Sequence, residues 1–180
     1  MAGPVVAAAV LLHNYQFKNR IADSKKLTPH QREKAFDEIM SKAYVGIGIM
    51  NEGCIDLHNI LEASFLAMDN AVLDLVSHIP KNLLNGDIEK KACLLIDGNR
   101  FQSRLPYDFR TIIHGDDVSI SIACASILAK VTRDRMLNAY DKIFPEYGFK
   151  QHKGYPTKKH KAAIKEHGLS VIHRRSFKHV

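Results

Sequence analysis

Cysteine is scarce and badly placed for pairing. Cys54, Cys93 and Cys124 are odd in number, far apart and in no Cys-x-x-Cys pair, which excludes a disulfide framework and a cysteine-built structural zinc site and fits a reducing cytoplasm. No apolar run approaches the ~20 residues that cross a bilayer, and the apolar stretch after Pro4 has no basic flank ahead of it to act as a signal peptide. The expectation is a soluble, cytoplasmic protein with no membrane partner, acting as a monomer. No Pro- or Gly-rich linker and no internal repeat divides the 180 residues, so the chain reads as one domain, 1–180. Acidic residues are nearly missing from residues 147–180, where nine Lys or Arg face only Glu166.

That end therefore carries an excess of eight positive charges, more than the +7 of the whole chain. The composition is 46% hydrophobic, enough for one sizeable core. The basic end predicts either a solvated face or a phosphate-binding surface, and composition does not separate the two.

Residues 4–13 form a continuous β-prone apolar run, the mark of a strand buried on both faces, and residues 43–50 alternate like a second strand. Between them Thr28-Pro29-His30-Gln31 sets Thr at an N-cap, Pro at the first helical position and Gln at the third, a capping box opening a helix to about Ser41. Leu57, Ile60, Leu61, Phe65, Met68, Val72 and Leu75 recur at three- and four-residue steps, predicting a long helix with one buried stripe. Residues 92–96 and 109–113 read as short strands ending in Asp-Gly-Asn and His-Gly-Asp turns. Ile120, Ala123, Cys124, Ile127, Leu128 and Val131 make another stripe, with Ser126, Lys130 and Arg133 on the opposite side of that helix. A last helix over 158–167 ends at Gly168. Alternating strands and helices predict an α/β fold, with an α/β core to about residue 140 and a basic helical region over about 141–180.

Ligands of open α/β sheets gather beyond strand ends, which singles out Asp97 and Asp116. If their strands are neighbours the carboxylates converge, and hard oxygens with room for water suit Mg²⁺ or Mn²⁺. Spacing alone favours the plainer reading of two Asx turns, and Asp117 competes with Asp116 for the ligand role. Asp134 beside Arg133 reads as an ion-pair partner. The histidines form no zinc pattern and read as surface residues or phosphate contacts. Gln151-His152-Lys153-Gly154-Tyr155-Pro156-Thr157 interleaves cations with one aromatic in a rigid turn. Such a turn can present Tyr155 to a sugar or base while Lys153 holds phosphate, or it can tuck Tyr155 against the core. Ser24-Lys25-Lys26 is a second candidate phosphate loop.

Seven segments, in order, resemble bacterial ribonuclease HII: Ala2-Gly3-Pro4-Val5-Val6-Ala7-Ala8-Ala9-Val10, Asp23-Ser24-Lys25-Lys26-Leu27, Asn59-Ile60-Leu61-Glu62-Ala63, Asp97-Gly98-Asn99-Arg100, the helix segment from Ala125 to Asp134, His152-Lys153-Gly154-Tyr155-Pro156-Thr157 and His173-Arg174-Arg175-Ser176-Phe177. The resemblance covers essentially the whole chain. It implies an RNase H-like α/β fold, a central mixed sheet flanked by helices, with a C-terminal helical region. It also implies an endonuclease of ribonucleotide excision, in DNA replication and repair, acting on RNA–DNA hybrids or DNA containing ribonucleotides. Such an enzyme cuts on the 5′ side of the ribonucleotide and leaves 5′-phosphate and 3′-OH ends, with Mg²⁺ or Mn²⁺ as cofactor. By the resemblance Asp97 and Asp116 are catalytic metal ligands and Tyr155 packs on the sugar at the junction. Lys25, Lys26, Lys153 and Arg174, with Ser24, are the expected substrate contacts.

The family's other two carboxylates come as an adjacent pair in an Asp-Glu-Ala-Gly-Arg-Gly segment shortly before the Ala-Gly-Pro-Val-Val motif, on the central strand of its sheet. The 180 residues begin inside that stretch. The expectation is a gap in the core, unpaired backbone on a neighbouring strand, weak metal binding and little cleavage by these residues alone. The alternative expectation is a catalytically inactive nucleic-acid-binding remnant.

Overall fold

The computed structural model describes residues 1–83 and 91–178. Strand β1 (Val5–Leu12) pairs antiparallel with β2 (Ala43–Met50), from Val5 opposite Met50 to Leu12 opposite Ala43. Strand β3 (Cys93–Asp97) pairs in parallel with β4 (Asp108–Ile112). The helices are α1 (Pro29–Met40), α2 (Glu52–His78), the single turn α3 (Gly115–Val118), α4 (Ile120–Ile143), the short α5 (Phe149–His152) and α6 (Lys158–His167). A 3-10 turn at Ser24–Lys26 precedes α1.

The predicted caps are in place. Thr28 Oγ1 accepts the Gln31 N–H at 3.2 Å while the Gln31 side chain accepts the Thr28 N–H at 2.8 Å, so two helix-start donors are satisfied reciprocally. Thr157 caps α6, and Gly168 closes it at φ +77°.

The two faces of β2 explain the layering. A Cβ on Gly48 would lie 1.8 Å from the Ala67 carbonyl oxygen, and one on Gly46 2.1 Å from that of Ala71. The alternating glycines thus let the α2 backbone rest directly on the strand. On the other face Val45 and Ile47 pack against a core of Leu12, Leu27, Ile39, Ile127, Leu128 and Val131, contributed by β1, the α1 region and α4. The β1–β2 layer is therefore covered by α2 on one side and by α1 and α4 on the other. A second core joins Met1, Ala2 and Leu137 to Tyr147, Phe149, Ile164 and Ile172, so the C-terminal helices are bound to the residues that lead into β1.

Two expectations need correction. Of the expected stripe of α2, Phe65, Val72 and Leu75 are buried, whereas Leu57 is 77% exposed and Ile60 and Leu61 are exposed as well. The helix breaks at Asn59 (φ 69°, ψ 167°), whose side chain caps the Leu61 and Glu62 N–H groups, so a second start turns the first two turns out of register with the stripe. Ser126, Lys130 and Arg133, expected together across α4 from its apolar stripe, are all half-buried and all bonded. Ser126 reaches Ser24 at 3.0 Å and Arg133 is bonded to three backbone carbonyls. Among the described residues the sheet is in two parts, β1–β2 and, separately, β3–β4. Residues 4–13, expected to be covered on both faces, are half-buried through most of β1. A slot of about 480 Å³ runs between β1 and β3.

Candidate active site

Asp97 ends β3, exposed, with one carboxylate oxygen accepting the Gly115 N–H at 2.9 Å. That bond joins the strand end to the turn carrying Asp116 and leaves the second Asp97 oxygen for another partner. Gly115 is needed there, because a Cβ would sit 2.6 Å from Ile122 and 3.2 Å from the Asp97 oxygen. His114 enters the turn in the left-handed region at φ 54°, a conformation that costs a non-glycine residue about 1 kcal/mol.

A third carboxylate joins these two. Asp23 accepts the Lys25 N–H at 2.9 Å, and it is hydrogen-bonded to Asp116. The Asp116 carboxyl is raised above its ordinary range by burial and then by the negative charges of Asp23, Asp97 and Asp117. Asp23 is lowered, first by the Lys25 N–H, then by the bond from Asp116 and the nearby Lys25 and Lys26 charges. Opposite shifts of this kind are what two adjacent carboxylates in unlike surroundings impose on each other. Asp117, the rival for the ligand role, instead pairs with Lys26 at the surface. Asp134 bonds Lys130 at 2.8 Å with Arg32 further off, as expected of an ion pair.

Three carboxylates crowded enough to raise one of them form an electrostatic deficit that a divalent cation would relieve, and their oxygens are the hard donors that Mg²⁺ or Mn²⁺ takes. The fit is partial. One Asp97 oxygen is committed to Gly115, and among the described residues no group of three or more Asp, Glu, His or Cys side chains closes into a metal cage. Asp23 carried no spacing signal. It lies in a coil, and the Ser24–Ser126 and Lys26–Asp117 contacts, 102 and 91 residues apart in sequence, bring its turn to the site.

The predicted substrate residues divide into surface and interior. Lys25 is exposed, Lys26 is exposed and paired with Asp117, and Tyr155 is 61% exposed on its turn. Lys153 is half-buried, with its ammonium on Asn138, and burial lowers its pKa. Ser24 is buried with its hydroxyl on Ser126, so it holds the Lys25–Lys26 turn in place. Arg174 is only 8% exposed. It donates to Gly3 O at 2.9 Å and Pro4 O at 3.3 Å and lies over the Phe177 ring. Burial pulls its pKa down to about 10. Arg174 is an internal clamp rather than a free phosphate contact.

The histidines also depart from expectation, because three of them are the framework of the Tyr155 turn. His152 stacks on His160 at 4.2 Å between ring centroids, and His160 Nε2 meets His173 Nε2 at 3.0 Å. His173 Nδ1 accepts the Ser170 N–H at 2.9 Å, so its Nε2 carries the proton that His160 Nε2 accepts. His160 Nδ1 then donates to the Tyr155 carbonyl at 2.9 Å. His152 Nδ1 accepts the Gly154 N–H, and its Nε2 donates to Tyr147 O at 2.7 Å. These bonds assign each ring a neutral tautomer. Helical spacing conceals such a cluster, since the three rings come from different segments.

The model for the family described as ribonuclease HII matches residues 1–180. A ribonuclease HII of Ruminiclostridium cellulolyticum is 49% identical over 179 residues, covering 98% of this chain and 65% of that protein. One of Fusobacterium nucleatum is 47% identical, covering 98% of this chain and 80% of its own length. The chain thus spans about two thirds to four fifths of these two relatives. Among solved structures, the Archaeoglobus fulgidus ribonuclease HII in its complex with PCNA superposes with a TM-score of 0.65 at 20% identity, covering 97% of this chain and 86% of that one. The ribonuclease H2 of Pyrococcus horikoshii gives 0.64 at 20% identity, covering 96% and 94%. At that identity the two structures establish the shared fold.

Proposed function

Since the chain belongs to the ribonuclease HII family, we propose that it works as an endonuclease on RNA joined to DNA, hydrolysing the phosphodiester on the 5′ side of a ribonucleotide to leave 5′-phosphate and 3′-OH ends. The observation that carries this reading is the convergence of Asp97, Asp116 and Asp23 beside the Lys25–Lys26 turn. Mg²⁺ or Mn²⁺ bound there would lower the pKa of an attacking water and stabilise the leaving 3′-oxygen. The free oxygen of Asp97 and the Asp116 carboxylate are the ligands. Asp23 bears on them through Asp116, and Gly115 holds Asp97 in orientation. Lys25 and Lys26 take backbone phosphates, with Lys153 nearer the Tyr155 turn. Tyr155 offers an exposed ring to the sugar at the junction, which suits stacking without base readout. Ser24 and Arg174 act through the loops they hold.

The absence of a closed cage of three or more ligands among the described residues supports a second reading, in which these 180 residues bind nucleic acid and cut it little. One experiment separates the two. An Asp-Glu-Ala-Gly-Arg-Gly segment of the family's kind is placed ahead of Ala2, and a duplex with one embedded ribonucleotide is incubated with Mg²⁺ or Mn²⁺. Cutting that Asp97→Asn abolishes, with binding nearly intact, is the expected result. Cutting that survives Asp97→Asn removes Asp97 from the metal site, and binding without any cutting favours the second reading.

A further inference from the structure

We infer that His160 is a positioning residue for Tyr155: a relay of neutral imidazoles, from His173 to His160 to the Tyr155 carbonyl, fixes the backbone that carries the exposed ring and so sets how sharply a ribonucleotide junction is preferred. What the ring touches rests on the proposed nuclease activity. The turn needs holding, because Lys153 and Gly154 both lie in the left-handed region, at φ 51° and 77°, a conformation that strains the lysine. His152 accepts the Gly154 N–H and His160 donates to the Tyr155 carbonyl, so the two rings grip the turn before and after the Tyr155 Cα. They stack with 13° between their planes, and the Phe149 ring meets both edge-on. A shift of one ring therefore displaces the other.

Each ring nitrogen of the relay is committed with one proton per ring. A second proton on His152 would face the Gly154 N–H at 3.2 Å, and one on His160 the His173 Nε2–H at 3.0 Å. His160 is fully buried and His173 is 2% exposed, so the added charge would also lose its hydration. Ser170 Oγ, at 2.8 Å, can take a proton from His173 Nδ1, which makes the His160–His173 contact the sensitive one. The relay thus holds the Tyr155 carbonyl only while neutral, and acid releases it. The charged and titratable groups around it come from several elements. Tyr147 is tilted against His173 at 4.9 Å, with Glu146 beside it and His167 edge-on at 6.2 Å. Lys153 lies in the turn and Arg174 follows His173 in the chain. The Met1 ammonium donates to Gly154 O, and burial, then Arg174 and Arg133, pull its pKa down to about 5. Met1 titrates in acid too, so a pH test needs a variant that keeps it.

Two measurements on the intact 180-residue chain test this. Nitrogen NMR of the histidine rings, without metal or nucleic acid, should show His160 protonated on Nδ1 and His152 and His173 on Nε2. That pattern should fail together with the Tyr155 carbonyl signal as pH falls from about 8 to about 5. The second measurement is a binding competition between a duplex with one embedded ribonucleotide and the same duplex in DNA alone. His160→Ala should lower the preference about threefold or more, the worth of one hydrogen bond, with the affinity for DNA alone changed less than about twofold. His160→Asn, whose amide can still donate to the Tyr155 carbonyl and does not titrate, should restore the preference and keep it in acid where the native chain loses it. If His160→Ala does not fold, His160→Asn carries the test. Protonation of His160 on Nε2, an unchanged preference in a folded His160→Ala chain, or the same pH profile in His160→Asn as in the native chain overturns the inference. Correct tautomers with no junction preference in the native chain would instead overturn the reading of Tyr155, so the two failures are distinct.

Discussion

The two ends of the story of β1 are held in opposite ways. Just before the strand, residues 2–4 are tied on every side: Ala2 N–H to Gly154 O, Gly3 N–H to Ile172 O, and the carbonyls of Ala2, Gly3 and Pro4 to Arg133 and Arg174. Along the strand itself, the edge facing β3 has no backbone partner among the described residues. The first region fixes the Tyr155 turn, because Arg133 also bonds Lys153 O at 2.9 Å. The second leaves the carboxylate end of the site attached to the rest of the sheet mainly through helices. The Tyr155 turn is thus held by the chain's own backbone contacts on several sides, and the Asp97 end of the candidate site by the Gly115 bond and the helices beside it.

The sharpest way to break that comparison is Arg133→Ala, which removes the side-chain donor of the Ala2 and Lys153 carbonyls and leaves Pro4 O to Arg174 alone. Leaving buried acceptors unpaired costs about 1–3 kcal/mol each when nothing relaxes, so a loss of about 2 kcal/mol or more is expected in urea denaturation. A loss below about 1 kcal/mol would show that the clamp is not what holds the turn. Gly48→Ala probes the closed face of the sheet. Its Cβ would meet the α2 backbone at 1.8 Å, so an overpacking cost of about 1–3 kcal/mol is expected, whereas Ala129→Leu in the open slot should cost less than about 1 kcal/mol. Equal costs at the two positions would mean that the slot is not open.

Tyr155→Ala should change stability by no more than about 0.5 kcal/mol, as at other exposed sites, yet lower the preference for a ribonucleotide junction more than overall duplex affinity. An unchanged preference in a cleavage or binding competition would remove Tyr155 from the site. The smallest effect concerns Glu38, which anchors the coil leading to Asp23. Burial pushes its carboxyl up, but bonds from Lys18 N–H, Lys42 and Asn19 outweigh this and hold it at about 2, against 4.5 for an ordinary glutamate. A lowered folded pKa means that the stabilisation is complete above the unfolded value and is lost as pH falls toward 2. Melting temperatures of the native chain and Glu38→Gln should therefore differ at about pH 6 and converge toward about pH 2.5. A constant gap would show that the carboxylate charge is not the source.

Local order was legible wherever one short segment carries its own cause. The capping box at Thr28, the strand over 43–50 and the Gly168 stop follow from backbone requirements met within a few residues. Arg174, His152, His160 and His173 were misread because charge and ring type say nothing about depth. An arginine can face solvent or clamp carbonyls, and only packing against Gly3 and Phe177 chooses. Asp23 was passed over because it lies in a turn before α1 rather than at a strand end, and only the contacts of that turn with Ser126 and Asp117 set it beside Asp116.

From its sequence alone this protein is an α/β chain of the ribonuclease HII kind with Asp97 and Asp116 at strand ends, since strand periodicity and turn residues are local properties. Which carboxylates come together and which basic groups remain at the surface were decided only in three dimensions. Those outcomes depend on contacts between segments up to about a hundred residues apart, where burial and charge act through space rather than along the chain.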